Sequence, residues 1–312
     1  MGSTHVTPRK AVATVERPLV VGVDGSDASL TAADWAVDEA VRHGQPLRIV
    51  HASLWERYEG AVPTRTADRP SEQVFAENIV GAVAERALRR APGLTVTTAV
   101  LAEDAPSALL DEGRQAASLV VGSRGRGALA GLLLGSVGLV VAARSHCPVV
   151  VVRGDRQALE ARHERVLVGI GDHDVDAPAV RFAFREAAAR HAELDVVRAW
   201  RPAPEPADHP LQSGGARQSF EERAFEALDK ALESAVRDHP RVHLRTSVVE
   251  GPAHKVLVER SAAADLLVVG ARRRDGVIGL ELGRVAHRSL HHASCPVAVV
   301  PQHHQVPTDG DR

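Results

Sequence analysis

The sequence predicts an α/β protein made of two tandem, doubly wound, five-stranded parallel sheets flanked by helices, a Rossmann-like arrangement. Two observations carry this prediction. Short apolar runs alternate with stretches of helical periodicity, and strands that are separated by helices pair in parallel with helices on both faces. The whole pattern then occurs a second time, in the same order, further along the chain.

The second occurrence is an internal repeat whose offset does not change between the glycine and the cysteine of each copy. Leu119-Val-Val-Gly122 returns as Leu267-Val-Val-Gly270, and Cys147 before a proline returns as Cys295, both 148 residues later. Two domains of about 150 residues each are therefore expected. The expected organisation is a disordered tail (1–17), a first domain (18–153), a linker (154–163), a second domain (164–301) and a disordered tail (302–312).

In the first half, apolar and β-branched runs predict strands at Leu19–Val23, Leu47–Ala52, Leu94–Leu101, Leu119–Gly122 and Pro148–Val152. Helices are predicted between them at Leu30–Arg42, Val74–Arg90, Pro106–Ala117 and Val137–Ser145. The turn Asp24-Gly-Ser-Asp27 before the first helix has side chains that are typical of helix starts. The polar, Pro-containing segment Tyr58–Pro70 predicts a loop.

The second half repeats this order. Its predicted strands are Arg165–Ile170, Leu194–Ala199, His243–Val249, Leu266–Val269 and Pro296–Val300. A Pro-rich, polar stretch, Arg201–Gly215, takes the place of the loop of the first half.

The segment that says most about function is Gly122-Ser-Arg-Gly125, followed nine residues later by Gly135-Ser136. It follows a buried strand, and its glycines allow the backbone to approach a ligand closely. Ser136 is expected to be the N-cap of the next helix. Free backbone N–H groups and a helix N-terminus in one place favour an anion, most simply a phosphate.

These residues resemble the universal stress protein family in its tandem two-domain form. The family's nucleotide motif G-x2-G-x9-G-S/T is satisfied at Gly122, Gly125, Gly135 and Ser136. An early Val-Gly-Val-Asp-Gly-Ser and a late His-Cys-Pro-Val-Val-Val-Val-Arg are also similar to that family. The resemblance covers Pro18–Arg153 and Glu164–Pro301. It implies ATP binding at an open five-stranded sheet, and many members pair through their last strands.

The resemblance assigns roles to individual residues of the first domain. Asp24 would be the acidic nucleotide contact, with a plain helix cap as its alternative role, and the backbone of Ala52 would meet the adenine edge. Gly122, Gly125, Gly135 and Ser136 would hold the phosphates, and Val137 would offer a backbone N–H. Arg124 and Arg126 would add charge there, with a solvated surface position as the simpler alternative.

The second domain departs from the motif at three places. Gly171 stands where the first domain has Asp24, Arg273 where it has Gly125, and Arg284 where it has Ser136. Shifting the match by one residue restores an acid at Asp172 but changes neither arginine. An arginine at a close-approach glycine fills the space that phosphates need. We therefore expect no ATP binding of the family's kind here; the alternative is that Arg272, Arg273, Arg274 and Arg284 bind a different anion.

Charge, cysteine count and hydropathy indicate which kinds of partner and location the protein has. The formal net charge of -2 gives no indication of a nucleic-acid partner. Two cysteines, one in each repeat, and a polar start unlike a signal peptide indicate reduced thiols in the cytoplasm. The uncharged stretch Gly127–Ala143 is shorter than the roughly 20 apolar residues of a membrane span, so no membrane association is expected. His287 and His291 are one helical turn apart, but no further ligand is fixed by spacing, so no metal site is predicted.

The function expected from the resemblance is a regulatory protein of the stress response that binds ATP, with or without Mg²⁺, mainly through its first domain. A slow ATPase or phosphotransferase is the enzyme alternative, for which Asp24 is the one candidate base, and no catalytic residue is assigned. A structural, partner-binding module is the third hypothesis. Pro148–Val152 and Pro296–Val300 are expected to pair edge to edge and form a pseudo-dimer within one chain, with a homodimer of two chains left open.

Overall fold

The computed structural model describes residues 17–54, 72–125, 134–171, 178–201, 213–272 and 282–302. Within these residues, strands and helices alternate in both halves of the chain, as predicted. The strands are β1 (Leu19–Gly22), β2 (Leu47–Ala52), β3 (Val96–Leu101), β4 (Ser118–Gly122), β5 (Val149–Val152), β6 (Arg165–Gly169), β7 (Glu193–Trp200), β8 (Leu244–Glu250), β9 (Leu266–Arg272) and β10 (Val297–Gln302).

The helices of the described residues pack on both faces of the strands. They are α1 (Asp27–His43), α2 (Glu72–Arg90), α3 (Ala105–Glu112), α4 (Ser136–Arg144), α5 (Arg156–Leu159), α6 (Pro178–Arg190), α7 (Ser213–Asp238), α8 (Ala253–Arg260) and α9 (Arg284–His292), with a 3₁₀ turn at Ser261–Ala263. The predicted loop Tyr58–Pro70 lies outside the described residues, as does most of the stretch predicted as a loop from Arg201. The end of that stretch, from Ser213, already belongs to α7.

All of these strands form one sheet in the order β3-β2-β1-β4-β5-β10-β9-β6-β7-β8. Neighbours within each half are parallel, which confirms the predicted fold class. The halves join through β5 and β10, the strands that were expected to pair, and these run antiparallel with Val297 opposite Val151. The two five-stranded units are therefore one continuous sheet, and their carboxyl ends point to opposite edges of it.

The central strands are apolar because both faces of the sheet are covered. All residues of β5 are buried. Val150 and Val152 face one core cluster, whereas Val149 and Val151 face the other, as the alternation of side chains along a strand requires. Burying each such side chain contributes roughly 1.5–3 kcal/mol, so the junction between the halves is a hydrophobic core rather than a surface contact.

Helix ends differ from the sequence prediction where capping chemistry decides them. α1 begins at Asp27 rather than Leu30, because Ser26 is the N-cap and accepts the N–H of Ser29 at 3.3 Å. It ends at Gly44, whose φ of 66° is the left-handed conformation that glycine adopts readily. α3 ends at Glu112 rather than Ala117, with Gly113 as its C-cap. A Cβ on Gly113 would lie 2.8 Å from the side chain of Leu119, so this position favours glycine.

The predicted linker contains the short helix α5 and is hydrogen-bonded to the second half. Asp155 caps α5, and its backbone N–H donates to the carbonyl of Ser294 at 3.1 Å. The carboxylate of Asp265, in the second half, accepts the N–H groups of His163 and Arg165 at 2.9 and 3.2 Å. Hydrogen bonds to the second half therefore hold the linker in place both before and after α5.

A buried polar cluster joins α1 of the first half to α6 of the second. Both guanidinium NH groups of Arg190 donate to Glu39, at 2.9 and 3.0 Å. His43 Nε2 lies 3.3 Å from both Glu39 and Glu186. The pairs are repeat equivalents, since Glu39 and Glu186 are 147 residues apart, as are His43 and Arg190. Each half thus offers a glutamate and, one turn later, a basic residue to the other half.

The protonation of this cluster follows from its burial. Hydrogen bonds to Glu186 and Glu39 raise the pKa of His43 from 6.5 to about 9, although partial burial opposes this. Burial alone would raise the pKa of Glu39, but Arg190, His43 and Arg42 together hold it well below its usual range. Burial and the neighbouring Glu39 carboxylate raise the pKa of Glu186. The raised pKa of His43 means that its imidazole is protonated at neutral pH.

We expect His43 to make the stability of the chain pH-dependent. Its raised pKa means that the stabilisation is fully present below about pH 6.5 and is lost as the pH rises through 9. The free energy of unfolding should fall by about 1 to 2 kcal/mol between these limits, less than the full shift because the imidazole is partly solvated. Urea unfolding at pH 6.5 and 9.5 measures it.

His43→Arg is the decisive variant, because arginine is what the second half carries at the equivalent Arg190 and it stays charged throughout. It should reduce the pH dependence, whereas the exposed control His243→Arg should leave it as in the parent chain. Equal pH dependence in the parent and in His43→Arg would contradict this account of the cluster.

Candidate functional site

The candidate site lies at the carboxyl edge of the first half, the edge at which open parallel sheets bind their ligands. Asp24 follows β1, Ala52 ends β2 and Gly122 ends β4. β1 lies between β2 and β4 in the sheet, so these three strand ends are neighbours. α4 begins at the same edge, because its loop leaves β4 there.

Asp24 is half-buried, and its carboxylate organises the turn before α1. Oδ1 accepts the backbone N–H of Ser26 at 3.0 Å and the hydroxyl of Ser26 at 2.6 Å. The alternative role of Asp24 as the helix cap is wrong, because Ser26 caps α1. The other carboxylate oxygen faces Gly125, where an added Cβ would lie only 2.6 Å from it. Gly125 therefore lets the loop after β4 lie directly against Asp24.

Gly122 is a glycine because of a backbone contact within the fold. A Cβ at this position would lie 2.7 Å from the carbonyl oxygen of Ala28 and 3.1 Å from the nitrogen of Ser29. Both atoms belong to the first turn of α1, which cannot move without disturbing the end of β1. The sequence predicted that Gly122 lets the backbone approach a ligand; the group that Gly122 approaches in the structure is the backbone of α1.

The loop after β4 is closed at its base. The N–H of Gly135 donates to the carbonyl of Ser123 at 2.8 Å, which brings the start of α4 beside the end of β4. A Cβ on Gly135 would have ordinary contacts, the nearest with Arg124 at 3.7 Å. Residues 126–133 of the loop, including Arg126, lie outside the described residues.

The N-cap of α4 is Gly135, and the prediction that Ser136 caps this helix is wrong. Gly135 is extended, with φ of −76° and ψ of 155°, and its carbonyl accepts the N–H of Leu139, so the helix starts one residue earlier than expected. Ser136 is the first helical residue and its side chain is exposed. No side chain caps the helix. The first-turn N–H groups of Ser136 and Val137 therefore suit an anion.

Arg124 lies in this loop and is exposed. Burial, and then the charge of Arg124, lower the pKa of Arg153 at the end of β5. The guanidinium of Arg153 in turn donates to the carbonyl of Leu290 in α9. Arg153 therefore joins the end of β5 to α9, while Arg124 acts on it only through charge repulsion.

Sequence reasoning missed two residues that shape this edge. His51 is buried, and its Nδ1 lies 2.7 Å from the carbonyl of Val23, so it fixes the end of β1 against β2. Ser29 is buried and accepts the N–H of Asp24 at 3.3 Å. A polar residue inside an otherwise apolar strand was the signal for His51, and a serine two residues after the predicted turn was the signal for Ser29.

Comparison with known proteins identifies the family. The model of the universal stress protein family matches residues 16–153 and 163–301. The chain belongs to the universal stress protein family.

Relatives of full length support this assignment. The chain is 34% identical over 314 residues to a universal stress protein of Mycobacterium tuberculosis, which covers 95% of this chain and 99% of the relative. It is 31% identical over 290 residues to one of Mycolicibacterium smegmatis, which covers 91% and 97%. The crystal structure of a universal stress protein from Archaeoglobus fulgidus has the same fold, with a TM-score of 0.64, 18% identity, and coverage of 92% of this chain and 98% of that one.

The second half of this universal stress protein has a different edge. Gly171 takes the place of Asp24, and the buried Arg198, at the repeat position of His51, donates to its carbonyl at 2.8 Å. Beyond Gly270 the strand β9 continues to Arg272, because β10 also continues and pairs with it as far as Gln302. A Cβ on Gly270 would meet the side chain of Gln302. Arg273, Arg274 and Asp172 lie outside the described residues.

The cysteines, the histidine pair and the uncharged stretch that the sequence analysis considered lie outside this candidate site or show no further function. Cys147 and Cys295 are both free and buried, and burial raises the pKa of each thiol. The rings of His287 and His291 lie 4.6 Å apart, and no third ligand group joins them in the described part of the chain. Within the same residues, no helix is both long and apolar enough to cross a bilayer.

Two glycine variants should separate fold from ligand binding. Gly122→Ala should lower the free energy of unfolding by about 1 to 3 kcal/mol without any ligand, because its Cβ meets the rigid backbone of Ala28. Gly135→Ala has room and an allowed φ, so it should cost less than about 1 kcal/mol. Urea unfolding of both variants checks this, and equal losses would show that the packing at Gly122 is not tight.

Proposed function

We propose that the first domain of this universal stress protein binds ATP, with or without Mg²⁺, and that occupancy regulates the chain. The phosphates would lie at the N-terminal end of α4, against the N–H groups of Ser136 and Val137. Asp24 would contact the nucleotide at the end of β1, and the backbone of Ala52 would meet the adenine edge.

One observation supports this proposal most strongly. The start of α4 carries no side-chain cap, and the bond from Gly135 to Ser123 holds that start beside the end of β4. Gly125 places the same loop against the Asp24 carboxylate. Uncapped helix N–H groups beside a glycine loop are the arrangement that favours a phosphate, and Arg124 adds a positive charge at its rim.

The regulatory part of the proposal follows from what the loop contacts. Phosphates bound at Ser136 would attract Arg124, whose charge acts on Arg153. Arg153 donates to the carbonyl of Leu290 in α9. A shift of Arg153 on ligand binding would therefore change a contact with the second domain. We propose binding rather than hydrolysis, because the one candidate base, Asp24, already accepts two hydrogen bonds from Ser26 at Oδ1. The chain would work in this way in the cytoplasm, as a pair of domains joined through β5 and β10.

Ser136→Asp tests the site without harming the fold. A carboxylate in the first turn suits the helix dipole, so the free energy of unfolding should stay equal or rise by up to about 1 kcal/mol. The same charge repels phosphates, so ATP affinity should fall at least about tenfold. Isothermal titration calorimetry with ATP at about 0.15 M salt should give near one site per parent chain.

Gln115→Asp is the matched control, because it adds the same charge to the same domain at the exposed, opposite edge of the sheet. It should leave ATP affinity unchanged. The proposal fails if the parent chain binds no ATP, or if Ser136→Asp binds ATP as tightly as Gln115→Asp does.

A further inference from the structure

The continuous sheet has two end strands, β3 in the first half and β8 in the second. The carbonyls of Thr95 and Leu101 accept N–H groups at the two ends of β2, at 2.9 and 3.0 Å. Because backbone groups alternate in direction along a strand, the N–H and C=O groups of Val96, Thr98 and Val100 point away from β2. No strand of the described residues pairs with this outer side. It is therefore a row of donors and acceptors on which another strand can pair.

The side chains of β3 do not oppose such pairing. Val96–Leu101 contains neither a charged residue nor a proline, and Thr97 and Thr98 are exposed. β8 is the repeat equivalent of β3, and there Arg245 stands at the position of Thr97. A charged side chain or a proline on an end strand is a common protection against pairing with another chain. The second half therefore has this protection, and the first half lacks it.

α2 leaves a groove of about 380 Å³ along the outer side of β3. Its lining residues are Gln73, Glu77, Val80 and Gly81 of α2 and residues 98–100 of β3. A Cβ on Gly81 would meet nothing within 4 Å, so the packing of one chain does not require glycine there. Glycine nevertheless destabilises the interior of a helix relative to alanine. Gly81 therefore leaves room beside β3 that a single chain does not use.

Two exposed apolar residues flank Gly81 on the same face of α2. Val74 and Leu88 are each 43% exposed, and they lie seven residues before and after Gly81, which is nearly two helical turns. In α7, the repeat equivalent of α2, Glu222 and Asp229 stand at the positions of Val74 and Gly81. The first half is therefore uncharged where the second half has two carboxylates. We call the outer side of β3, the groove and these two apolar residues the β3 edge.

The order of side chains in β3 is self-complementary. When two copies pair antiparallel about a two-fold axis at Thr98, each Val96 lies opposite Val100 of the other copy, and the two Thr98 residues lie opposite each other. On the other face, Thr97 lies opposite Ala99. Cross-strand pairs of β-branched residues are favourable, and no pair brings like charges together. The outward backbone groups would form about six hydrogen bonds across this axis, within the range of roughly 5 to 15 that a specific interface contains.

We propose that two copies of this chain associate through their β3 edges, with the two β3 strands antiparallel about Thr98. The second α2 then runs opposite to the first, so Val74 of one copy comes to the same end as Leu88 of the other. A second copy is the occupant of this edge because strand and helix are each self-complementary, and their centres, Thr98 and Gly81, line the same groove. Arg245 opposes the same pairing at β8, so association stops at two copies. No residue assigned to the nucleotide takes part, so the dimer does not depend on the ATP site.

Analytical ultracentrifugation of the full-length chain, with residues 55–71 that lead into α2 in place, tests this interface. We expect an equilibrium between monomer and dimer at protein concentrations of roughly 1 to 100 μM. Thr98→Lys places a charge directly opposite its own copy, so the dimer dissociation constant should rise at least about tenfold. Thr246→Lys is the matched control, because it makes the same exposed change at the repeat position in β8, and it should leave the equilibrium unchanged. Both variants should unfold in urea at the same midpoint as each other.

A cysteine at the centre of the strand tests the register. Thr98→Cys should form a covalent dimer under mild oxidation, whereas Thr246→Cys should not, and the native Cys147 and Cys295 are buried. A parent chain that stays monomeric up to about 100 μM overturns the proposal. So does a dimer that Thr98→Lys leaves intact. Equal weakening by Thr246→Lys and Thr98→Lys also overturns it, since β3 would then pair with β8 of the next copy and the assembly would not close.

Discussion

The antiparallel pairing of β5 with β10 is the constraint on which the rest of the structure depends. It turns two parallel sheets into one, and it sends their carboxyl edges to opposite sides. Behind it, the Glu39–Arg190 pair locks α1 to α6 in a fully buried setting, where removing one partner would strand a charge. The loops that follow the strands of one half therefore lie on the opposite side of the sheet from those of the other half.

The two halves have kept the junction symmetric while their edges diverged. Glu39 and Glu186 hold the same repeat position and both face the partner half. Only the basic member differs, His43 against Arg190, and that one difference confers a titration near pH 9 on the cluster. At the carboxyl edges, by contrast, the repeat position that is Ser136 in the first half is Arg284 in the second. Burial explains the contrast: a buried ion pair constrains both partners, whereas an exposed position tolerates almost any side chain.

The order of strands and helices could be predicted from the sequence, because apolar runs that recur in both repeats indicate buried strands. The details at helix starts could not, since Gly135 and Ser136 are both acceptable caps and only the backbone conformation decides between them. The junction cluster was missed because Glu39 lies on a helix whose apolar face was the stronger signal. The signal that could have found it is the recurrence of a glutamate and a basic residue four positions later in both repeats.

Glycine positions are weaker evidence for a ligand than the family motif suggests. Gly122 is required by the backbone of α1, and Gly270 adjoins the side chain of Gln302, so both are explained by packing alone. A domain that lost its nucleotide would keep such a glycine. The residues that report on binding are those whose side chains the fold leaves unconstrained, Ser136 against Arg284 above all. The first residue of α4 in the first half is Ser136, which has a small hydroxyl side chain. The first residue of α9 in the second half is Arg284, which has a long cationic side chain. The two edges therefore differ in the side chains that they present, although their backbones follow the same plan.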